Sequence, residues 1–591
     1  MSINRNEFTA LVAVKRNPAS TQRQIAAATS LSLGTVNSLL RSLQAKGLVD
    51  EGRITAKGVR ELQPYQVDNA VIMAAGLSSR FAPVSYERPK GLLTVRGEVL
   101  IERQIRQLQE AGISDIAVVV GYKKEQFFYL EEQFGVQIVV NRQFASRNNN
   151  STLMMVREML GNTYICSSDD YFTANPFERY VWKAYYAAQY SPGFTKEWCI
   201  STGRKDRIES VTIGGSDAWY MTGHAYFDRS FSQTFSQILT DVYDDPRTEG
   251  KLWEEIYLEH AEQLDMEIRR YEPDSIYEFD TLDELKEFDP LFLQNLDSSI
   301  LDNIVAVLGC SKDEIHDVYP LKKGLTNLSC HFATNEGEFV YRHPGIGTEK
   351  MIDRSAEMAA LSLAKATGID NTLVFGNPRR GWKISRFIPH ARELDPHDPE
   401  QVKRAMQLAR KLHDQDQKLN RTFDFYQESK KYEALLLEKG RIEVPDYAEM
   451  AKRIDTLNDY VKADHARICL THNDFFNLNL LIDQNDQLNL IDWEYAGMSD
   501  YASDYGTFVV TCMLGEEEAE YALACYFDRT PTPQEHRHNL AHVALAGWCW
   551  YVWALQKESE GDYVGDWMYT YYRYAKKYLS LALEEYEGAE R

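Results

Sequence analysis

The sequence lacks the features of exported, membrane-spanning and low-complexity proteins. Its eight cysteines are scattered through 591 residues and none forms a C-x-x-C pair, so we expect buried, reduced thiols. No apolar run approaches the length of a membrane span, and the first residues do not have the pattern of a signal peptide. We find no internal repeat and no low-complexity tract. These absences predict a cytoplasmic protein without a membrane partner.

Positive charge is also scarce. The chain has 65 lysines and arginines against 88 acidic residues, a net charge of −23. This balance excludes a protein that binds nucleic acid along its whole length. Residues 1–65 are the exception, with nine basic and four acidic residues. At roughly 100–200 residues per domain, the chain length predicts three or more domains.

Residues 1–64 have the pattern of a small helical module. Residues 6–16 form one predicted helix, Ser20-Thr21 caps a second, and 35–46 has apolar residues at helical spacing. A short β wing is predicted at 53–55. This pattern resembles a winged helix-turn-helix, which would present polar side chains to a DNA major groove: Ser32, Thr35, Asn37, Ser38 and Arg41. DNA is a possible partner, and a docking or dimerisation role is equally open.

Two larger units follow. In residues 65–290, predicted strands at 67–75, 116–120, 136–140 and 163–168 alternate with helices, which predicts an open parallel α/β sheet. In residues 291–591, a strand at 338–342 precedes mostly helical segments. The fold class is therefore multidomain, α/β and α+β.

The first strand of the second unit runs into a loop suited to phosphate binding. The loop reads A-A-G-L-S-S-R-F from residue 74 and is followed closely by R-P-K-G-L-L. Small residues let backbone N–H groups approach a triphosphate. The segment resembles nucleotidyltransferases that join a nucleoside monophosphate to a sugar phosphate or phosphocholine. The resemblance implies catalytic roles for Lys90 and Arg80, and nucleotide contacts from Ala74, Ala75, Gly76, Ser78, Asn150 and Ser151.

The same resemblance implies a Mg²⁺ site and a substrate site. Asp169, and less clearly Asp170, match the family's first acidic position, and Glu278 and Asp280 match the second. Trp198 and Trp253 suggest the branch that takes choline, because a quaternary ammonium is held by aromatic faces. The alternative is that these tryptophans belong to the core.

A second phosphate site follows in the third unit. His472 to Asn479 reads H-x-D-x-x-x-x-N, and Asp492 comes after a β turn. This spacing supplies a base, Asp474, and two Mg²⁺ ligands, Asn479 and Asp492. The segment resembles the choline/ethanolamine kinases, which have a protein-kinase-like fold. The resemblance implies an ATP site formed by Asn327 in the loop 324–329, Arg342 paired with Glu357, and Arg386 and Ile388 in the hinge.

Aromatic residues after this loop suggest a choline pocket. The family's W-x-x-W and later tyrosine pair match Trp550, Trp553, Tyr569 and Tyr572, and Glu494 and Tyr495 would complete the pocket. An aromatic helical core is the alternative, since i, i+3 spacing is also core spacing.

Together the two halves predict consecutive reactions. The C-terminal half would make phosphocholine from choline and ATP, and the N-terminal half would make CDP-choline from phosphocholine and CTP. The preference for CTP over UTP is implied by the resemblance alone. Two alternatives stay open: a choline- or nucleotide-sensing regulator with degenerate enzyme domains, and the same enzyme pair acting on ethanolamine or another amino alcohol. The sequence leaves the oligomeric state open, and whether phosphocholine passes directly between the sites.

Overall fold

The computed structural model describes residues 3–18, 20–321, 327–345, 353–560 and 564–589. Its contacts divide the chain into two units, residues 1–302 and 303–591. No described helix combines the length and the apolar character that a membrane crossing requires.

The first unit begins with the predicted winged helix-turn-helix. Its elements are α1 (Arg5–Arg16), α2 (Gln22–Thr29), α3 (Leu33–Ala45), β1 (Val49–Asp50), β2 (Arg53–Ile54) and α4 (Ala56–Leu62). Asn4, Thr21 and Ser32 each accept a hydrogen bond from a backbone N–H in the first turn of the helix that follows, which fixes where the three helices begin. Leu11, Val36 and Leu43 are fully buried between the helices.

This module is packed against the rest of its unit through α1. The Phe8 ring centroid lies 4.9 Å from that of Tyr65 and 5.3 Å from that of Trp182. An ion pair of 2.7 Å joins Arg5 to Glu267. On the predicted recognition helix α3, Ser38 and Arg41 stay exposed.

The remainder of the first unit is an α/β domain. Its strands are β3 (Asn69–Ala74), β4 (Thr94–Val95), β5 (Glu98–Val99), β6 (Ile116–Val120), β7 (Gln137–Val140), β8 (Thr163–Ser167), β9 (Asp170–Phe172), β10 (Tyr185–Thr202), β11 (Ile208–Phe227), β12 (Glu267–Arg270) and β13 (Ile276–Glu278). Its helices are α5 (Leu100–Glu110), α6 (Tyr129–Phe134), α7 (Asn150–Val156), α8 (Arg229–Val242), α9 (Trp253–Glu259), α10 (Leu282–Phe288) and α11 (Phe292–Asn295), and α12 (Ser299–Leu308) contains the division between the units.

The main sheet of this domain is mixed, which corrects the expectation of a parallel one. The described strands are ordered β12-β10-β11-β8-β3-β6-β7. The strands β8, β3, β6 and β7 are parallel, but the long hairpin β10–β11 is inserted with β11 antiparallel to β8. Successive residues of β3 face opposite sides, so Val71 and Ile72 enter separate hydrophobic clusters.

The second unit has a strand-rich part and a helical part. Its strands are β14 (His316–Pro320), β15 (Asn327–Thr334), β16 (Gly337–Pro344), β17 (Leu373–Gly376), β18 (Lys383–Arg386), β19 (Arg392–Glu393), β20 (Ile468–Thr471), β21 (Leu480–Ile482), β22 (Leu488–Leu490) and β23 (Gly497–Asp500). Its further helices are α13 (Arg354–Ala366), α14 (Pro399–His413), α15 (Phe425–Lys439), α16 (Tyr447–Ala463), α17 (Ala502–Thr511), α18 (Glu516–Phe527), α19 (Pro533–Ser559) and α20 (Asp566–Ala589).

Two arrangements in this unit position the second site. The described strands of the larger sheet are ordered β14-β15-β16-β18-β17, and β20 pairs with β23 in a sheet that leads into the predicted catalytic loop. The helix α19 is buried almost continuously from His538 to Lys557. A helix that is buried on all sides forms the centre of its domain rather than its surface.

Candidate active sites

The first site begins where β3 ends. Ala74 and Ala75 are buried, whereas Gly76 is exposed, and no other atom lies within 4 Å of the position a Cβ would take there. Open backbone of this kind can offer N–H groups to a phosphate. Further along the loop Ser78 has a φ of +48°, and the Arg80 guanidinium lies 2.7 Å from the Asp280 carboxylate.

Lys90 lies beside the acidic residues predicted to hold metal. The Lys90 ammonium is buried, forms an ion pair with Asp169 and lies 4.7 Å from the centre of the Phe81 ring. Asp170 is 1% exposed, and neither of its carboxylate oxygens has a hydrogen-bond partner among the described residues. Burial, and then the Glu278 and Asp169 carboxylates, raise the pKa of Asp170 well above its usual range.

Strand pairing brings the second acidic position to the first. In the β9–β13 pair, Glu278 is directly opposite Asp170, and the Gly223 N–H donates to the Glu278 carboxylate at 3.3 Å. Loss of hydration of the carboxyl group, and then the charge of Asp169, raise the pKa of Glu278. Asp280 pairs with Arg80 and lines the adjoining cavity together with Glu278. Carboxylates that repel one another fit a divalent cation, and both oxygens of Asp170 lack a partner among the described residues, so Asp169, Asp170 and Glu278 could hold one.

A cavity of about 850 Å³ adjoins these residues. Trp198 lines it as predicted, and further aromatic residues were not predicted: Tyr186, Tyr220, Tyr277, Phe279 and Phe288. The Glu254 carboxylate also lines the cavity, and it accepts hydrogen bonds from Tyr186 Oη and Asn149 Nδ2, each at 3.2 Å. Burial raises the pKa of Glu254 to about 7. The cavity therefore joins aromatic faces to carboxylates, as a methylated cation requires.

The structure places the side chains of three predicted contact residues of this site outside the cavity lining. Trp253 is 1% exposed and is stacked behind Tyr186 with ring centroids 5.8 Å apart, so it supports the cavity wall without reaching the cavity. Asn150 and Ser151 are fully buried, and their side chains bond the protein itself: Asn150 Nδ2 donates to the Thr248 carbonyl and Ser151 Oγ to the Asn148 carbonyl. From this segment, Asn149 reaches the cavity instead.

The second site is built on the loop between β20 and β21. Asn479 Nδ2 donates to the Asp474 carboxylate at 2.9 Å and to its carbonyl at 2.9 Å. Asp504, buried at the start of α17, accepts the backbone N–H groups of His472 at 3.0 Å and Asn473 at 2.6 Å. Burial, and then Asp492 and Glu494, raise the pKa of Asp474. The predicted base is thus held in place and favours accepting a proton.

A buried ion cluster lies on the β16–β18 sheet. Arg342 contacts Glu357 at 2.5 Å, as predicted, and also Asp492 at 3.1 Å. Lys383, which the sequence analysis missed, is the cross-strand neighbour of Arg342 and lies 3.2 Å from Glu357 and 3.7 Å from Asp492. Burial opposes ionisation of Glu357, but Arg342 and Lys383 outweigh it and lower its pKa. Two cations and Asp492 therefore meet where ATP phosphates and a metal would bind.

Other predicted ATP contacts are partly described. Asn327 Nδ2 donates to the Glu494 carboxylate at 2.8 Å, whereas residues 324–326 of the same loop lie outside the described residues. In the predicted hinge, Arg386 is exposed at the end of β18 and Ile388 is half-buried. Glu494 was predicted beside the substrate ammonium, but it is bound by Asn327 and lies 3.6 Å from Arg354. The structure therefore places Glu494 in the ion network of the ATP side.

The aromatic residues of the second site are only partly those predicted. Tyr495 packs edge-on against Trp550 at 5.2 Å, and Trp550 against Trp553 at 5.9 Å. Both indole N–H groups are buried without a hydrogen-bond partner among the described residues. Tyr569, in contrast, is 64% exposed. Tyr572 donates to Asp446 at 2.6 Å.

Tyr571 is the tyrosine of this helix that the structure places near the catalytic loop. It is 8% exposed, and burial followed by the charge of Asp474 raises its pKa. Trp567, one turn earlier on α20, has its ring centroid 5.8 Å from that of Tyr571 and 6.4 Å from that of Phe476 in the catalytic loop. Tyr571 and Trp567 are therefore further aromatic candidates near the catalytic loop, and the roles of Tyr569 and Tyr572 stay predictions.

Comparisons with known proteins agree with the geometry of the first unit. A family model described as "MobA-like NTP transferase domain" matches residues 70–190. Choline-phosphate cytidylyltransferase of Streptococcus pneumoniae (strain ATCC BAA-255 / R6) is 31% identical over 38% of this chain and 97% of that protein. 2-Aminoethylphosphonate cytidylyltransferase of Lancefieldella rimae is 35% identical over 37% of this chain and 92% of that protein. The chain belongs to the cytidylyltransferase family.

The regions on either side of the cytidylyltransferase domain match other families. The model described as "Phosphotransferase enzyme family" matches residues 317–537, and "MarR family" matches residues 2–55. The solved choline kinase LicA of Streptococcus pneumoniae is 26% identical over 48% of this chain and 98% of that chain, with a TM-score of 0.43. The predicted order of helix-turn-helix, nucleotidyltransferase and kinase domains is confirmed. The chain is therefore a transferase with nucleotidyltransferase and phosphotransferase domains.

Proposed function

We propose that this cytidylyltransferase is a bifunctional enzyme that makes CDP-choline from choline. The kinase domain would convert choline and ATP to phosphocholine and ADP. The cytidylyltransferase domain would convert phosphocholine and CTP to CDP-choline and pyrophosphate. The observation that carries the proposal is that one chain contains two transferase domains, each with a candidate phosphate site near aromatic residues. In the proposal, the product of one reaction is the substrate of the other.

In the kinase reaction, Asp474 accepts the proton of the choline hydroxyl as its oxygen attacks the γ-phosphorus of ATP. The Asn479 amide orients the Asp474 carboxylate at 2.9 Å. Asn479 and Asp492 would hold Mg²⁺, which supplies positive charge to the phosphates. Arg342 and Lys383, on neighbouring strands, supply protein cations to the same region.

In the cytidylyl transfer, a phosphate oxygen of phosphocholine attacks the α-phosphorus of CTP and pyrophosphate leaves. No proton has to be removed, so positioning and charge neutralisation are the main requirements. The exposed backbone at Gly76 and the side chains of Arg80 and Lys90 supply donors. Asp169, Asp170 and Glu278 would hold Mg²⁺, and the buried, unpartnered carboxylate of Asp170 supports that assignment.

The choice of choline is supported by the aromatic residues of both sites. A trimethylammonium group has no N–H to donate, so aromatic faces stabilise it by about 0.5–2 kcal/mol per contact. Trp198 and Tyr186, with the Glu254 carboxylate, form such a setting in the first cavity. Tyr495 and Trp550 contribute to the second.

A second candidate substrate comes from the comparison with the L. rimae protein, which is named for 2-aminoethylphosphonate. That compound already contains its phosphorus–carbon bond, so a kinase would have no part in making it. The kinase domain on this chain therefore favours a phosphate ester as the substrate of the cytidylyl step. Phosphoethanolamine is the remaining competitor, and its primary ammonium would prefer hydrogen-bond acceptors over ring faces.

The test is a substrate competition on the purified full-length protein. Choline and ethanolamine compete for phosphorylation by ATP, and phosphocholine, phosphoethanolamine and 2-aminoethylphosphonate compete for CTP. We expect choline and phosphocholine to have the highest kcat/KM. A preference for either primary amine in the CTP reaction would overturn the assignment to choline. If neither ATP nor CTP were consumed, a regulator with degenerate enzyme domains would be the better account.

The helix-turn-helix domain favours DNA as a partner. The match to the MarR family and the exposure of Ser38 and Arg41 on α3 support this proposal. A gel shift with genomic fragments should show binding that Arg41→Ala weakens. Absence of binding at low salt would leave the domain a docking module attached through Phe8 and Arg5.

A further inference from the structure

Two histidines and an aspartate meet in the kinase unit outside the predicted catalytic set. Asp500 is the last residue of β23, and His538 and His542 lie four residues apart on α19. Residues at i and i+4 share one face of a helix, which is the placement that lets two imidazoles bind one metal. The three side chains are positioned to offer two nitrogens and a carboxylate oxygen within 4.8 Å of one another.

The distances fit a tetrahedral ion. His538 Nε2 lies 3.1 Å from each oxygen of Asp500, and His542 Nε2 lies 3.5 Å from one of them. In a tetrahedral zinc site with bonds near 2.0–2.1 Å, neighbouring ligand atoms are about 3.3 Å apart. The separations between Asp500 and the two imidazoles are therefore close to those that a bound ion would impose.

A neighbouring carboxylate, Asp464, orients the His538 ring. Asp464 lies 2.9 Å from Nδ1 of His538, which turns Nε2 of that ring toward Asp500. A carboxylate on the far nitrogen of an imidazole is the usual support of a metal-binding histidine. His542 is 5% exposed, and its ring nitrogens make no hydrogen bond within the described part of the chain, although Nε2 lies 3.5 Å from the Asp500 carboxylate. A metal ion between this imidazole and Asp500 would satisfy a buried polar group whose contact with the carboxylate is long.

The cluster also opens into a cavity of about 420 Å³. Asp500 and His542 line this cavity together with Asp424, Asn458 and His465. Three protein ligands with one position open to water or a small ligand are the arrangement of non-structural zinc sites. The cavity is therefore where a fourth ligand would enter.

We propose that Asp500, His538 and His542 bind one Zn²⁺ ion, with the fourth coordination position facing this cavity. Imidazole ligands favour Zn²⁺ over Mg²⁺, so the site is chemically separate from the Mg²⁺ sites of the two reactions. The ion would tie α19 to β23. Because β23 pairs with β20, whose next residues form the catalytic loop, the ion would stabilise the kinase unit near its active site.

The test measures metal binding by the full-length protein without a histidine tag. The protein is stripped with a chelator and titrated with Zn²⁺ by calorimetry, and in parallel with Co²⁺ as an optical probe. We expect one Zn²⁺ per chain and the intense visible absorption that is typical of tetrahedral Co²⁺. Zn²⁺ should also raise the unfolding temperature of the kinase unit, which is the transition that ATP shifts. Thiolate-to-Co²⁺ bands would place the metal on cysteines and overturn the proposal.

Matched variants locate the site. His542→Gln should weaken Zn²⁺ binding at least 100-fold, whereas His465→Asn should bind as the wild type, because His465 lines the same cavity outside the cluster. Asparagine suits that position, where φ is +47°. The rate of CDP-choline formation from phosphocholine shows whether the first unit of each variant is folded. Far-ultraviolet circular dichroism shows whether the helices of the second unit are formed.

Two outcomes would refute the proposal. Equal Zn²⁺ affinity in His542→Gln and wild type would exclude this cluster as the site. If His542→Gln does not fold, the wild-type titration still decides, because absence of tetrahedral Co²⁺ absorption would leave Asp500, His538 and His542 as an ion network without metal.

Discussion

Replacing Glu254 by glutamine tests the proposed phosphocholine cavity. Glu254 is 9% exposed, lines that cavity and is contacted by two neutral donors, Tyr186 and Asn149. Its pKa is raised from 4.5 to about 7 by burial. A cationic substrate placed beside it would favour the ionised carboxylate and lower that pKa again.

The size and sign of the effect follow from this pKa. Between pH 4.5 and about 7 the unfolded chain loses this proton before the folded chain does, so the folded state becomes less stable as pH rises. Above pH 7 the penalty is complete and amounts to about 3 kcal/mol, at 1.36 kcal/mol per pKa unit. Glu254→Gln removes the penalty. The variant should be more stable than the wild type at pH 8 by up to about 3 kcal/mol, and equally stable at pH 4.

Thermal unfolding checks the stability effect and calorimetry checks the substrate effect. For a domain of this size, a gain of about 3 kcal/mol raises the midpoint of thermal unfolding by roughly 6–12 °C. The unfolding transition of this domain is recognised as the one that CTP shifts. Binding of phosphocholine near pH 6 should release about one proton more from the wild type than from Glu254→Gln, measured by comparing buffers of different ionisation enthalpy. The difference is the readout because the phosphate of phosphocholine, with a pKa of about 6, titrates in both proteins. Glu254→Gln should also bind phosphocholine at least tenfold more weakly.

The neighbouring Glu259 provides the control, because its side chain is 51% exposed and paired with Lys251 on the surface. Glu259→Gln should change stability by less than about 1 kcal/mol at any pH. If Glu254→Gln lowered stability at pH 8, or left phosphocholine binding and its proton release unchanged, the assignment of Glu254 to the substrate cavity would be refuted.

Three further substitutions separate the two activities. Lys90→Ala should slow CDP-choline formation from phosphocholine by roughly 10²–10³-fold, since one phosphate-binding cation is lost. ADP release with choline should be unchanged, and loss of both activities would contradict separate sites. Asp474→Ala should slow phosphocholine formation by roughly 10²–10⁴-fold and spare the CTP reaction; normal kinase kinetics in this variant would rule out Asp474 as the base. Gly223→Ala should impair the CTP reaction and lower stability by about 1–3 kcal/mol, because its Cβ would lie 2.9 Å from the Asp170 carboxyl at a φ of +59°. Gly214→Ala is the control, because Gly214 also has a positive φ of +80° but its added Cβ would lie 3.6 Å from the nearest atom. This variant should have the backbone strain without the clash and should keep its activity. If both glycine variants reduced activity equally, the clash with Asp170 would not be the cause.

The sequence predicted those features that local pattern determines. Helical spacing located α1, α3 and the C-terminal helices, and the buried strands β3, β6 and β8 were found from their apolar runs. The order and spacing of Lys90, Asp169 and Glu278, and of Asp474, Asn479 and Asp492, predicted two sites, and the structure brings the members of each set together. The three-domain organisation is confirmed by the fold and by the family matches.

The features that were missed depend on contacts between distant segments. Trp253 and Tyr186 are both aromatic and buried, and only their stacking decides which ring faces the cavity. Glu254 directly follows Trp253 in the sequence. A carboxylate next to an aromatic residue already predicted to contact the substrate was therefore the one sequence signal for Glu254. Lys383 comes to Glu357 through the pairing of β16 with β18, which no local pattern reveals.

On α20, the helix alignment decided which tyrosine was predicted. Tyr569 and Tyr572 lie on either side of Tyr571 along the sequence, and each residue rotates the direction of its side chain by about 100° around the helix. The prediction therefore selected Tyr569, which is 64% exposed, and Tyr572, which donates to Asp446, rather than the buried Tyr571. The antiparallel insertion of β11 beside β8 could not be predicted from the sequence pattern either, because the order of strands in a sheet is set by tertiary packing.

The most direct test of the whole account is a single reaction followed by mass spectrometry. The full-length protein is incubated with choline, ATP, CTP and Mg²⁺, and with each component left out in turn. The account predicts CDP-choline only when all are present, and CDP-choline without ATP once phosphocholine replaces choline. Consumption of neither nucleotide, or CDP-choline formation from choline without ATP, would contradict it.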